Sequence, residues 1–296
     1  MSDLMDPRVA AEIKDEVRAF YDAVGWREVS EGLYQNARFE DLRPVSREYI
    51  HRCHMRVRDH LPGEGRFLLD AGSGPIQYPE YLTYSEGHTY RVCLDISMRA
   101  LVEARQRLGD HGLYVVGDIA HLPFKDDCMQ GVVSLHTVHH LPPEEHRRAF
   151  EEFYRVVAPG SSVAVVYHWG EAGFLNRLSR RVASWAYWLR RKVARLRGRG
   201  SANHQQRGTG RATTLTFTHD HRWAERELGH LPGFQIRVWR SVGVYFLRAV
   251  IHPRLGGQRL LRILCKLETL APGFFGRHGM YPLIVYRKPA KRLAEA

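Results

Sequence analysis

Cysteine is scarce: four residues in 296, at Cys53, Cys93, Cys128 and Cys265, with no Cys-x-x-Cys pair. This spacing excludes a zinc-ribbon or disulfide framework and fits a reducing compartment. Long apolar runs are also missing. The best uncharged stretch, residues 156–170, is too short and too rich in Gly and Pro to cross a bilayer. The opening Met1-Ser2-Asp3-Leu4-Met5-Asp6 is acidic and lacks the apolar core of a secretory leader, so no leader is expected and a cytoplasmic location is. Acid is absent from one long stretch. Between Ala172 and His219 there is no Asp or Glu, while eleven Lys and Arg residues account for nearly all of the net charge of +12. The cationic character is therefore local, which implies one partner surface and not a globally basic protein.

What is present is ordinary for a globular α/β chain, with 44% hydrophobic and 26% charged residues. The organising stretch is Phe67-Leu68-Leu69-Asp70-Ala71-Gly72-Ser73-Gly74-Pro75. An apolar run ends in an acid, and two glycines follow at alternate positions. That is a buried strand entering a tight turn where backbone approaches a ligand. Val92-Cys93-Leu94-Asp95 repeats the pattern 25 residues after Asp70, and Tyr114-Val115-Val116-Gly117-Asp118 repeats it 23 residues later. Three Asp-terminated strands at βα spacing outline a nucleotide-like pocket at the carboxyl edge of a parallel sheet.

Along the chain, helices are expected at 8–24, 45–60, 98–108 (capped by Ser97), 143–156 (Pro143 in its first turn), 174–197, 218–228 and 243–270. Strands are expected at 66–70, 90–95, 113–117, 131–135, 162–167, 234–238 and 281–287, and a mobile Gly/Ser/Arg/Gln-rich loop at 198–214. Four regions result: an N-terminal helical lid at 1–64, a core at 65–170, a basic helical insertion at 171–232, and a core completion with helical cap at 233–296.

The order Asp70-x-Gly72-x-Gly74, Asp95, Asp118, a His-rich run and Ala158-Pro159-Gly160 resembles class I S-adenosylmethionine-dependent methyltransferases, in particular the small-molecule group of the ubiquinone/menaquinone type. The resemblance covers about residues 65–168 and the last strand. It implies a Rossmann-like, mostly parallel seven-stranded sheet with an antiparallel last strand, helices on both faces, and a helical cap after strand five. It implies S-adenosyl-L-methionine as cofactor. Asp70 would help hold the methionine end, with Gly72 and Gly74 allowing close approach. Asp95 would accept from the ribose hydroxyls, and Asp118 with the Ile119 amide would read the adenine, sandwiched by Ile96 and Leu122. Tyr21 and Trp26 would belong to the lid. One departure is visible: where such families often carry a third glycine, Ile76 stands here. Each aspartate taken alone reads more readily as a strand-end or helix-cap residue; the reading rests on the three together. A dinucleotide fold, the rival, would need a glycine at Gln77 and has no place for Asp118.

Strand four runs into His136-Thr137-Val138-His139-His140. His136 would face the transferred methyl as a base, an orienting group, or a structural residue. His140 reads as structural packing, and His168 as facing the acceptor. His219 and His221 read as a helix start or as substrate contacts. No metal is expected from this corner, which lacks a carboxylate partner for the imidazoles.

In the insertion, Phe174, Leu178, Val182, Trp185, Leu189, Val193 and Leu196 form one apolar stripe, with arginines on other faces. Two readings stay open: a helix lying on an anionic membrane surface, peripheral to its inner face, or a cap helix burying its stripe against the domain. Nucleic acid is the third and less favoured partner. The expected function is methyl transfer to an oxygen, less readily nitrogen or carbon, of a small-molecule or lipid-linked acceptor. The alternatives are an RNA-modifying methyltransferase and an inactive binding or regulatory protein.

Overall fold

The computed structural model describes residues 6–30, 33–35, 40–170, 173–196 and 214–290. The chain opens with α1 (Pro7–Phe20), a π-helical turn (Tyr21–Gly25), a small ribbon of β1 (Glu28–Ser30) and β2 (Leu33–Tyr34), and α2 (Arg47–Arg58). The central part alternates β3 (Gly65–Ala71), short α3 (Pro79–Leu82), β4 (His88–Asp95), α4 (Met98–Leu108), β5 (Gly112–Val116), β6 (Gly131–Leu135), α5 (His146–Val156) and β7 (Ser162–Val166). Then follow α6 (Phe174–Leu196), α7 (His221–Leu228), β8 (Gln235–Arg240), α8 (Val244–Val250), α9 (Gly257–Leu270), α10 (Pro272–His278) and β9 (Tyr281–Arg287).

The seven long strands form one sheet in the order β5-β4-β3-β6-β7-β9-β8. β9 runs antiparallel to both neighbours and the other pairings are parallel. The expected Rossmann-like fold with an antiparallel last strand is the one observed. The parallel strands are buried on both faces, which is why Val132, Val133, Val163, Ala164, Val165 and Val166 form nearly unbroken apolar runs. One face packs α5 and α7 through Phe150, Phe153, Ala224 and Leu228. The other packs α2, α4, α8 and α9 through Cys53, Val57, Leu101, Leu247 and Leu261.

Local chemistry sets the element ends. The Ser97 hydroxyl accepts from the Ala100 amide at 3.2 Å and starts α4. The helix expected from 218 begins at His221, because the Asp220 carboxylate accepts from the Trp223 amide at 2.9 Å and acts as the cap. The helix expected over 243–270 is broken in two. Pro253 cannot donate a helical hydrogen bond, and Gly256 takes a left-handed φ of +69°. The loop expected at 198–214 lies outside the described residues but for Thr214. On α6 the side packed on the domain is Asn176, Ser179 and Ala183, while the apolar stripe from Phe174 to Leu189 is exposed.

Candidate functional site

β3 ends at Ala71, and the chain turns through Gly72 and Gly74 at φ of +75° and +56°. Glycine is required at the first of these: a Cβ on Gly72 would lie 2.2 Å from the Thr137 side chain. Ile76, at the place of the absent third glycine, keeps a left-handed φ of +53° although it is β-branched. Its side chain is fully buried in the core, and the Arg107 guanidinium donates to its carbonyl at 3.1 Å. The loop therefore follows a glycine-like path, with strain of about 1–3 kcal/mol held by surrounding packing.

β4 lies beside β3, so Asp95 meets this loop. Its carboxylate accepts from the Gly74 amide and the Ser97 amide, both at 2.9 Å. Burial pushes its pKa up to about 6, against the pull of those two amides. β5 lies beside β4 and places Asp118 next along the edge. Burial would raise the Asp118 pKa, but Lys14 at 2.6 Å, the Ala120 amide and His121 together hold it below its ordinary value. Lys14 also reaches Glu145 at 2.5 Å, so α1 is clamped across the sheet edge.

The turn after α1 continues this cover. The Tyr21 ring stacks on Trp26 with centroids 5.0 Å apart. The His140 Nδ1–H donates to the Leu215 carbonyl at 2.8 Å, leaving Nε2 bare to accept from the Tyr21 hydroxyl at 2.8 Å. Burial drives the His140 pKa down to about 4, consistent with a neutral ring.

β6 delivers His136 at a left-handed φ of +57°. Its ring meets the edges of Trp239 at 4.6 Å and Tyr281 at 5.3 Å. Burial, with His168, His54 and His140 nearby, takes its pKa down to about 3. His168 stacks on Tyr281, and among the described residues neither His168 Nε2 nor His139 Nδ1 has a hydrogen-bond partner. At this end Arg240 is buried against Glu40, its guanidinium lying over the Trp239 and Tyr281 rings at 4.9 and 4.8 Å.

These groups line one cavity of about 360 Å³. Gly72, Gly74, Asp95, Ile96, Asp118, Ile119 and Tyr21 line one part of it, and His136, His168, Arg240 and Tyr281 line another. Asp70 does not line it. Its carboxylate is buried beneath the loop and paired with Arg91 at 2.5 Å. Leu122 lies in the core, and the leucines on the cavity wall are Leu135 and Leu141. His219 stacks on Trp223 at 4.1 Å beside the α7 cap, away from the cavity. Among the described residues no cluster of His, Cys, Asp or Glu has the arrangement of a metal site.

Sequence reasoning missed Lys14, Glu40 and Arg240. Each acts through a partner more than a hundred residues away, and no local pattern marks such a pair.

Residues 69–165 match the family described as "Methyltransferase domain". The tRNA (carboxymethyluridine(34)-5-O)-methyltransferase of Arabidopsis thaliana is 27% identical over 139 residues, 41% of this chain and 33% of that protein. The arsenite methyltransferase of Halobacterium salinarum is 32% identical over 109 residues, 34% of this chain and 27% of that protein. The chain thus spans a third or less of these relatives. Among solved structures, Haemonchus contortus phosphoethanolamine N-methyltransferase 1, in complex with phosphoethanolamine and S-adenosylhomocysteine, superposes with a TM-score of 0.56 at 10% identity, covering 97% of this chain and 52% of that one. At that identity the likeness is one of fold.

Proposed function

We propose that this chain, whose residues 69–165 form a methyltransferase domain of the class I, S-adenosylmethionine-dependent kind, transfers a methyl group to an oxygen of a small-molecule or lipid-linked acceptor. One observation carries the reading. The glycine turn, Asp95 and Asp118 share a single cavity with His136. The residues fit the donor: the buried Asp95 carboxylate uses two acceptor positions on backbone amides and keeps others for a ribose diol. The donor supplies a methyl group on a sulfonium, open to displacement by an acceptor oxygen.

The chain's own groups then divide the work. Asp95 would hold the ribose, and Asp118 with the Ile119 amide would read the adenine, with Ile96 and Leu141 as apolar lining. Tyr21 and Trp26 exclude water from above. Asp70 acts one step back, tying β3 through Arg91 to β4 and to the Tyr81 carbonyl of α3. His136 stays neutral at pH 7, so its free ring nitrogen accepts a hydrogen bond from the acceptor. With a pKa of about 3 it is too weak a base to remove the acceptor's proton, which leaves to solvent, and it serves to orient the acceptor oxygen. Orientation supplies most of the rate. The Arabidopsis relative favours RNA as the rival acceptor; against it, the acceptor end is lined by buried Arg240 and by Tyr281.

The test is methyl incorporation from labelled donor into cell extract, separated into lipid, small-molecule and RNA pools, beside calorimetric titration with S-adenosylmethionine. Label in the lipid or small-molecule pool is expected. Label in RNA alone overturns the acceptor assignment, and absence of donor binding overturns the enzyme assignment.

A further inference from the structure

The outward face of α6 carries a long exposed apolar row; among the described residues α9 exposes a shorter one, Leu260, Ile263, Leu267 and Leu270. Phe174, Leu178, Val182, Trp185 and Leu189 recur at steps of four, four, three and four, and all are exposed. Phe174 is 58% exposed, Trp185 63% and Trp188 54%, values that exclude the cap-helix arrangement in which the stripe is buried on the domain. The helix is instead anchored by its opposite side. Asn176 donates to the Gly170 carbonyl at 2.6 Å, Ala183 is fully buried, and Tyr187 stacks on Tyr245 of α8 at 5.0 Å. Seven cations, Arg177, Arg180, Arg181, Arg190, Arg191, Lys192 and Arg195, share the 23-residue helix with no acidic residue. The helix is long enough to lie about 35 Å along a surface.

We propose that α6 docks flat on an anionic lipid bilayer, its stripe entering the headgroup boundary and its arginines meeting lipid phosphates. The chemistry selects this occupant. A bilayer satisfies an apolar stripe and a flanking row of cations together, with tryptophans at the interface. A second copy of the chain would bring seven cations against seven. Nucleic acid would meet the arginines and leave the large apolar side chains in water. The stretch from 197 to 213 holds no large apolar residue in its sequence and has nothing with which to cover the stripe. Among the described residues no helix is long and apolar enough to cross a membrane, so the contact is interfacial. The inference does not depend on the cofactor assignment.

The test is flotation of the full chain with vesicles of phosphatidylcholine alone and of phosphatidylcholine mixed with phosphatidylglycerol. Binding to the mixed vesicles only, weakened by salt, is expected. Arg177→Glu/Arg181→Glu/Arg191→Glu should lower the bound fraction by on the order of tenfold or more. Trp185→Ser/Leu189→Ser should lower it as well. Both sets change exposed residues, and circular dichroism checks their fold. As an independent readout, brominated phosphatidylcholine in the mixed vesicles should quench tryptophan emission in the wild type, and Trp185→Phe/Trp188→Phe should abolish the quenching. Equal binding to both vesicle types, no binding to either, or charge reversal without effect overturns the proposal. So does tight RNA binding that competes with vesicles while Trp185→Ser/Leu189→Ser leaves both unchanged.

Discussion

Replacing Asp95 by asparagine should make the protein more stable and a poorer binder at once. The carboxyl is raised from 3.8 to about 6 by burial. Because the folded value lies above the unfolded one, the fold holds this proton more tightly. The resulting penalty is absent below the unfolded pKa, grows as pH rises towards 6, and is complete above it. Two pH units correspond to about 3 kcal/mol of stability withheld at pH 7.5. Asparagine removes that penalty. Its amide group then faces either the Gly74 or the Ser97 amide, donor against donor, at a cost of about 1–2 kcal/mol. Asp95→Asn should therefore be about 1–2 kcal/mol more stable than wild type at pH 7.5, and no more stable at pH 4. A hydroxyl bonded to an ionised carboxylate contributes about 1.5–3 kcal/mol. Asparagine keeps one acceptor oxygen for the ribose diol and loses the other, so affinity for S-adenosylmethionine should fall on the order of ten- to a hundredfold. In the wild type, affinity should weaken as pH falls through about 6, by up to about tenfold per unit. Urea unfolding at the two pH values and calorimetric titration measure both halves. A variant destabilised by several kcal/mol at pH 7.5 with unchanged affinity would refute the reasoning and leave Asp95 a structural residue that merely ties Gly74 to Ser97.

Two further outcomes follow from the same geometry. Arg91→Met leaves the Asp70 carboxylate buried beneath the glycine turn without its partner, and should cost about 3–5 kcal/mol in urea unfolding; Arg91→Met/Asp70→Asn should recover much of it, and a cost under about 1 kcal/mol would contradict the pairing. His136→Asn tolerates the left-handed backbone and should lower turnover about a hundredfold without moving the pH–rate profile between pH 5 and 8, because a group titrating near 3 contributes no limb there; a limb lost in the variant would show that His136 titrates in the working enzyme.

Much of the sheet and of the cavity's glycine-turn wall was readable in advance because its signals are local. Strand β6 and strand β9 lie where their apolar runs begin and end, Ser97 caps α4, and the three Asp-terminated strands became neighbours because parallel βα units stack in order. Ile76 marked the departure from the glycine pattern, but only the fold shows that the backbone keeps the left-handed turn there and buries the side chain.

Pairs joined across the chain were another matter. Arg240 and Glu40 are two hundred residues apart, and Lys14 meets Asp118 across a hundred and four, so no window of sequence contains either pair. Asp70, assigned by its place in the motif, faces Arg91 and not the cavity, a choice made by which neighbour offers a charge. Helix α6 makes the division plainest. By itself the sequence determined that one helix carries an apolar stripe and seven cations on a segment without acid, because periodicity and composition are properties of neighbouring residues. Only the tertiary structure decided which side meets the protein: Asn176, Ser179 and Ala183 are small enough for close packing, and so the larger side chains were left facing out.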